Sequence, residues 1–183
     1  MGNDEHSQNV FKKATEVGLT PLAYCDQMEL AFVRTWKCLD VSFDDFIRTT
    51  EPRHKDVVTK VLQKLWDAGE IYRADYEGHY CTRCERFWND TDVAAAGGRC
   101  PDFPDLHGAV PRLVEPNYFF RMSKWADELK RRIESGEFEI LPEKRKNEVL
   151  GYIKGGVEDL CISRAKSRLS WGIEMPFDKD YVT

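Results

Sequence analysis

The chain has 183 residues, enough for one domain or for one domain with a small satellite. Its 27 Lys and Arg against 32 Asp and Glu leave a net charge of −5, which excludes a blanket affinity for nucleic acid, so any RNA contact needs a local basic face. A composition 42% hydrophobic and 32% charged is globular, no apolar run approaches the ~20 residues of a bilayer crossing, and the polar start MGNDEHSQNV lacks the apolar core of a secretory signal. Membrane and secreted classes are excluded on these grounds, and a cytoplasmic location is expected.

Residues 1–10 show no apolar period. Thr20-Pro21 then opens a helix, Thr as N-cap and Pro at the first helical position. Leu22, Cys25, Met28, Phe32, Trp36 and Leu39 follow at steps of three and four, predicting one buried face. The period breaks over 40–49, where Phe43, Phe46 and Ile47 sit among acids. A second helix follows Thr50-Glu51-Pro52, turning Val58, Val61, Leu62, Leu65 and Trp66 inward and stopping at Gly69.

Residues 71–80 predict two short strands around a turn, ending at Cys81. Residues 81–116 are poor in aliphatics and rich in Gly, Pro, Asp and Cys, so this stretch needs a staple other than a core of its own. A strand returns over 117–122. Ser123 can cap a helix carrying Trp125, Leu129 and Ile133 and stopped by Gly136; Pro142 starts another with Val149, Leu150 and Ile153, stopped by Gly155-Gly156. Residues 160–173 read as strand and loop, and Val182-Thr183 stops in what reads as a strand.

Six cysteines stand at 25, 38, 81, 84, 100 and 161. Without an export signal, Cys81-x2-Cys84 followed by Cys100 points to a metal rather than to disulfides. A Cys-x2-Cys turn aims two sulfurs at one point about 2.3 Å from a tetrahedral Zn²⁺. A two-knuckle zinc ribbon would put the fourth ligand at Phe103, which cannot bind metal. His107 can complete a Cys3His site, Asp102 and Asp105 are weaker oxygen candidates, and the alternative is that the three thiols are metal-free remnants. A site of this kind is structural and does no chemistry.

Other clusters are less telling. Asp4-Glu5-His6 alone reads as a solvated terminus. Lys130-Arg131-Arg132 and Lys144-Arg145-Lys146 read as solvated helix faces. The basic run Ser163-Arg164-Ala165-Lys166-Ser167-Arg168 follows a strand-like segment, where an Arg can meet a carboxylate or phosphate bidentately. No glycine-rich phosphate loop and no nucleophile triad is visible.

Taken in order, the strings resemble the methionyl-tRNA synthetase family of class I aminoacyl-tRNA synthetases. Gly2-Asn3-Asp4-Glu5-His6-Ser7-Gln8 resembles its TGxDEHG segment. Ser42-Phe43-Asp44-Asp45-Phe46-Ile47-Arg48-Thr49-Thr50 with Pro52-Arg53-His54 resembles its DDFIRTT-x-PRH stretch. Gly69-Glu70-Ile71-Tyr72, Tyr76-Glu77-Gly78, Tyr80-Cys81 and Cys84-Glu85 resemble the start of its zinc-bearing insertion, and Glu115 to Arg121 with Asn147-Glu148-Val149 the return from it. Gly155-Gly156-Val157-Glu158-Asp159-Leu160, Ile162-Ser163-Arg164 and Trp171-Gly172-Ile173 resemble its GGLxDLSISR…WGI run.

The resemblance implies an α/β fold: part of a Rossmann-like catalytic domain over 1–70 and 123–183, with a zinc-knuckle connective insertion over 71–122. It implies methionine, ATP with Mg²⁺ and tRNA as substrates, and a structural Zn²⁺ on Cys81, Cys84, Cys100 and, in place of the family's usual fourth ligand, His107. Asp4 matches the carboxylate that holds the amino acid's α-ammonium group, His6 lies in the same segment, and Arg164 matches an arginine that supports adenylate formation. Asp4 and Arg164 are thereby expected across one substrate pocket. The family's HIGH and KMSKS elements have no counterpart in these 183 residues, so the chain is expected to be a middle piece that is inactive alone. The competing reading is a free-standing zinc-knuckle module that docks on tRNA or on a synthetase without catalysis.

Overall fold

The computed structural model describes residues 1–84 and 86–183; Glu85, quoted above beside Cys84, lies outside the described residues. Helix starts follow from capping chemistry. Ser7 Oγ accepts the Val10 N–H and begins α1 (Gln8–Glu16), and Thr20 Oγ1 accepts the Ala23 N–H and begins α2 (Pro21–Cys38). The polar start hides α1 from a periodicity search, yet its signals are present: the Ser7 cap, the Val10–Ala14 pair with Ala14 fully buried, and Gly18 at φ 72° beyond its end. Before these helices, β1 (Gly2–Asn3) lies parallel to β2 (Ile47–Arg48); a side chain at Gly2 would collide with the Ile47 carbonyl. Helix α3 (Pro52–Asp67) has Pro at its first position and ends before Gly69 at φ 70°.

An antiparallel sheet runs in the order β4-β3-β5-β6, with β3 Ile71–Cys81, β4 Arg86–Trp88, β5 Arg112–Phe120 and β6 Leu160–Cys161. The two strands and turn expected over 71–80 are instead one strand, paired with β5 from Ile71↔Phe120 to His79↔Arg112. Gly78 misleads because it is not a turn residue here: a Cβ would stand 2.9 Å from the Tyr76 ring, which packs on Phe87 and Phe119 across the same sheet face.

Between β4 and β5 lie two short helices, α4 (Asp90–Ala95) and α5 (Pro104–His107). A 3₁₀ turn over 123–125 leads into α6 (Ala126–Ser135), closed by Gly136 at φ 81°, and α7 (Glu143–Lys154) follows Pro142. Ser123 does not cap α6; its hydroxyl and its backbone N–H both donate to Asp159. A last sheet runs β7-β9-β8, with β7 Arg164–Ala165, β8 Glu174–Met175 and β9 Asp178–Val182.

The main core joins α3 to β3, β5, β8 and β9 through Leu62, Ile71, Tyr118, Met175 and Tyr181, with Trp66 stacked on Phe177 at 4.3 Å. A second, smaller cluster gathers Cys81, Trp88, Val93, Cys100 and Val110. The expected buried face of α2 is mostly open: Cys25 is buried, but Leu22, Phe32 and Leu39 are 47%, 48% and 67% exposed, and Val61 of α3 is 49% exposed. Periodicity fixes which side chains share a face; it does not supply the surface that covers them. Among the described residues no helix is long and apolar enough to cross a membrane.

Candidate active site and metal centre

The segment that lacks aliphatics is gathered around four heteroatoms. Cys81 ends β3, Cys84 follows in the turn, Cys100 precedes a Pro-Asp-Phe turn, and His107 closes α5. Their ligand atoms all lie within 4.8 Å of one another. His107 Nδ1 stands 3.6 Å from both Cys81 Sγ and Cys100 Sγ and 3.0 Å from Cys84 Sγ, and Cys84 Sγ stands 3.4 Å from Cys100 Sγ. A tetrahedral Zn²⁺ with ordinary bond lengths sets S···S edges of ~3.8 Å and S···N edges of ~3.6 Å, so the donor set fits.

The backbone is arranged for thiolates. The Cys84 N–H points at Cys81 Sγ from 3.4 Å. Burial raises the Cys100 thiol, but the N–H groups of Phe103 and Asp102 and the neighbouring thiols outweigh it, and its pKa falls below the ordinary value. Burial, then hydrogen bonds with Cys100 and Cys81, push the Cys84 thiol up to about 12. Thiols this close can all ionise only around a cation.

The other ligand candidates point elsewhere. Asp102 faces Arg86 and Asp105 faces Arg99, each at 3.6 Å. Phe103, at the position where a ribbon would carry its ligand, is half exposed and accepts the His107 N–H on its carbonyl at 2.9 Å, so it starts the turn that presents His107.

At the N-terminal segment the three acid-and-imidazole residues separate. Glu5 is buried: Arg48 Nε donates to its carboxylate at 2.6 Å, Thr50 donates to the other oxygen, and Thr49 Oγ1 accepts its backbone N–H at 3.0 Å. Arg48 also reaches Asp26 at 2.7 Å and Glu29 at 2.9 Å, tying α2 to β2. Trp171 Nε1 donates to the Glu5 carbonyl at 2.8 Å, and the His6 ring packs edge-on against Trp171 at 5.1 Å. Burial first, then the charge of Lys55, hold the His6 pKa below its ordinary value against the opposing pull of Asp4 and Glu5.

Arg164 in β7 is partly buried. Its Nη1 donates to the Ser163 carbonyl at 2.6 Å and to Cys161 Sγ at 3.2 Å, and its guanidinium lies 5.5 Å from the Tyr80 ring centroid and 5.2 Å from that of Phe87. Burial opposes its charge, but Cys161 and Tyr80 more than offset this and its pKa is raised.

Among the cavities walled by described residues, Asp4 and Arg164 line different ones. Asp4 is exposed and opens on a groove of about 460 Å³ walled by Tyr24, Met28 and Phe32 of α2. Arg164 lines a cavity of about 340 Å³ with His6, Tyr80 and Ser163. The split is local: Glu5 is drawn inward by Arg48 and Thr50, and the chain turns into α1 at Ser7, which leaves Asp4 toward α2 and His6 toward Trp171.

Two stretches of the chain, 1–109 and 103–183, match the family model described as tRNA synthetases class I (M). The chain belongs to that family. A methionine–tRNA ligase of Caldanaerobacter subterraneus subsp. tengcongensis is 42% identical over 181 residues, and one of Clostridium acetobutylicum 44% identical over 182; each alignment takes in 99% of this chain and 27% of the relative. Among solved structures, Mycobacterium tuberculosis methionyl-tRNA synthetase in complex with methionyl-adenylate superposes with a TM-score of 0.86 at 34% identity, over 99% of this chain and 35% of that one. This class I synthetase chain therefore spans about a quarter of the length of the curated relatives it matches. Its mixed helix and sheet architecture is that of the family's catalytic region, as the resemblance implied.

Sequence reasoning missed Glu5, Arg48 and Trp171 as the residues that fix the Asp4–His6 segment. Their signal is faint: Arg48 stands in the resembling stretch, but nothing in the sequence pairs it with a carboxylate 43 positions away.

Proposed function

We propose that this chain serves in ATP-dependent activation of methionine and its transfer to tRNA, the reaction named for the ligases it matches. The observation that carries this is the likeness over 99% of its length, at 34% identity, to a synthetase holding methionyl-adenylate. In this reading Asp4 holds the α-ammonium group by a charge-assisted contact. Arg164 supplies positive charge where the α-phosphate is attacked, its guanidinium being charged at any physiological pH. His6 walls the same cavity as Arg164. Mg²⁺ accompanies ATP. Cys81, Cys84, Cys100 and His107 hold Zn²⁺, which when bound cross-links three segments of the insertion over 71–122 and takes no part in the reaction. Residues 1–70 and 123–183 belong to the catalytic domain.

The test is a graft: this chain replaces the matching 181 residues of the Caldanaerobacter ligase. The graft is expected to methionylate tRNA, and Asp4→Ala or Arg164→Ala within it to lower kcat/KM by about a hundredfold or more. Full activity in either variant would withdraw that residue's role, and an inactive but folded graft would withdraw the ligase reading. The chain by itself is expected to give no methionine-dependent ATP–pyrophosphate exchange.

A further inference from the structure

Asn117 and Ser163 are polar side chains with 0% and 2% of their surface exposed, a costly place for an amide and a hydroxyl unless their polar atoms are used. Carrying the β5–β6 register Phe119↔Cys161 two residues on sets the two opposite each other. The ladder changes character there. Ile162 donates its N–H to the Tyr118 carbonyl at 2.9 Å, but the Tyr118 N–H turns to Ser163 Oγ at 2.8 Å, where a regular ladder would use a backbone carbonyl. Ser163 Oγ donates in turn to Asn117 Oδ1 at 3.1 Å, Asn117 Nδ2 donates to Glu115 at 3.0 Å, and Glu115 accepts Arg168 Nη1 at 2.9 Å. At this hydroxyl the chain changes sheets: β6 stops at Cys161 and β7 starts at Arg164. The Ser163 carbonyl, held at that crossing by its own side chain, is the acceptor on which Arg164 Nη1 rests.

We propose that Ser163 and Asn117 are positioning residues for Arg164: the buried line Glu115–Asn117–Ser163 fixes the carbonyl that aims its guanidinium into the cavity shared with His6. The consequence for catalysis rests on the ligase reading above; the aim of the guanidinium does not. Backbone groups already join β5 to β6, so sheet pairing does not require a buried amide and hydroxyl. A free arginine must give up side-chain freedom when it meets a phosphate, whereas one already seated on a rigid carbonyl has little left to lose.

Two readouts test this. In the graft described above, Ser163→Ala, which deletes one oxygen, and Asn117→Ala are expected to lower kcat of methionine-dependent ATP–pyrophosphate exchange about tenfold, with KM for methionine unchanged because Asp4 is untouched. In an Arg164→Ala background the same changes are expected to cost less than about twofold, since the group they aim is gone. Equal losses in both backgrounds would make Ser163 and Asn117 scaffold alone and overturn the proposal, as would an unchanged kcat. In the chain itself, purified with zinc, side-chain nitrogen NMR spectra follow the guanidinium without any need for activity. The Arg164 Nη signals, assigned by their loss in Arg164→Lys, are expected to be resolved by hindered rotation in the wild type and averaged in Ser163→Ala; an unchanged pattern would overturn the proposal. An inactive graft together with that spectral change would overturn the ligase reading alone.

Discussion

The lobe around residues 86–110 and the layer where α3 meets β3, β5 and β9 are held together by different physics. The layer buries large side chains from elements far apart in sequence: Leu62, Ile71, Tyr118, Met175 and Tyr181, with Trp66 against Phe177. The lobe has short helices, Trp88, Val93 and Val110 as its buried carbon, and three thiols with an imidazole at its centre. Area burial stabilises the first in many small increments, each of which can be trimmed. If the four donors hold Zn²⁺ as proposed, the second depends on one polyvalent contact and should fail as a unit.

The largest effect expected is therefore local. Cys100→Ser, or a strong chelator, should remove bound zinc and collapse amide-exchange protection over 86–110 while α3 and β3 stay protected; structural zinc contributes on the order of 10 kcal/mol in small knuckles. His107→Ala should lower zinc content with the same regional pattern, and unchanged zinc would dismiss His107 as a ligand. Met175→Ala should do the reverse: a global loss of about 2–4 kcal/mol in urea unfolding, because Met175 has no exposed surface, with zinc stoichiometry untouched. A variant that moved both readouts together would mean that lobe and layer are one cooperative unit.

The smallest effect belongs to neither region. His6 is held neutral in the folded chain by burial and by Lys55, while the unfolded chain protonates it near 6.5. Its contribution to stability is whole above that pH and is lost as pH falls through the depressed folded value. His6→Gln should therefore flatten the acid limb of a stability–pH curve slightly and leave pH 8 unchanged; an equally steep limb would show that His6 is not what titrates there.

Much of the scaffold was legible because it rests on local chemistry. Thr20 and Pro21 start α2, Gly136 and Gly69 end helices, and Pro142 precedes α7, each by rules that span only a few residues. His107 was reachable as a ligand candidate because three cysteines and a failed position at Phe103 left one imidazole within loop reach. What was not legible required partners distant in sequence. Gly78 reads as a turn until β5 pairs alongside it, and the open face of α2 reads as core until its neighbours are counted.

The indole of Trp171 closes on the Glu5 carbonyl across 166 positions. On a ribosome adding roughly 5–20 residues per second, the latch arrives on the order of ten to thirty seconds after the segment it fastens. Throughout that interval the carboxylate of Glu5 can find Arg48 while its carbonyl has no indole to meet, so this segment waits, half-docked, for a tryptophan still to be translated.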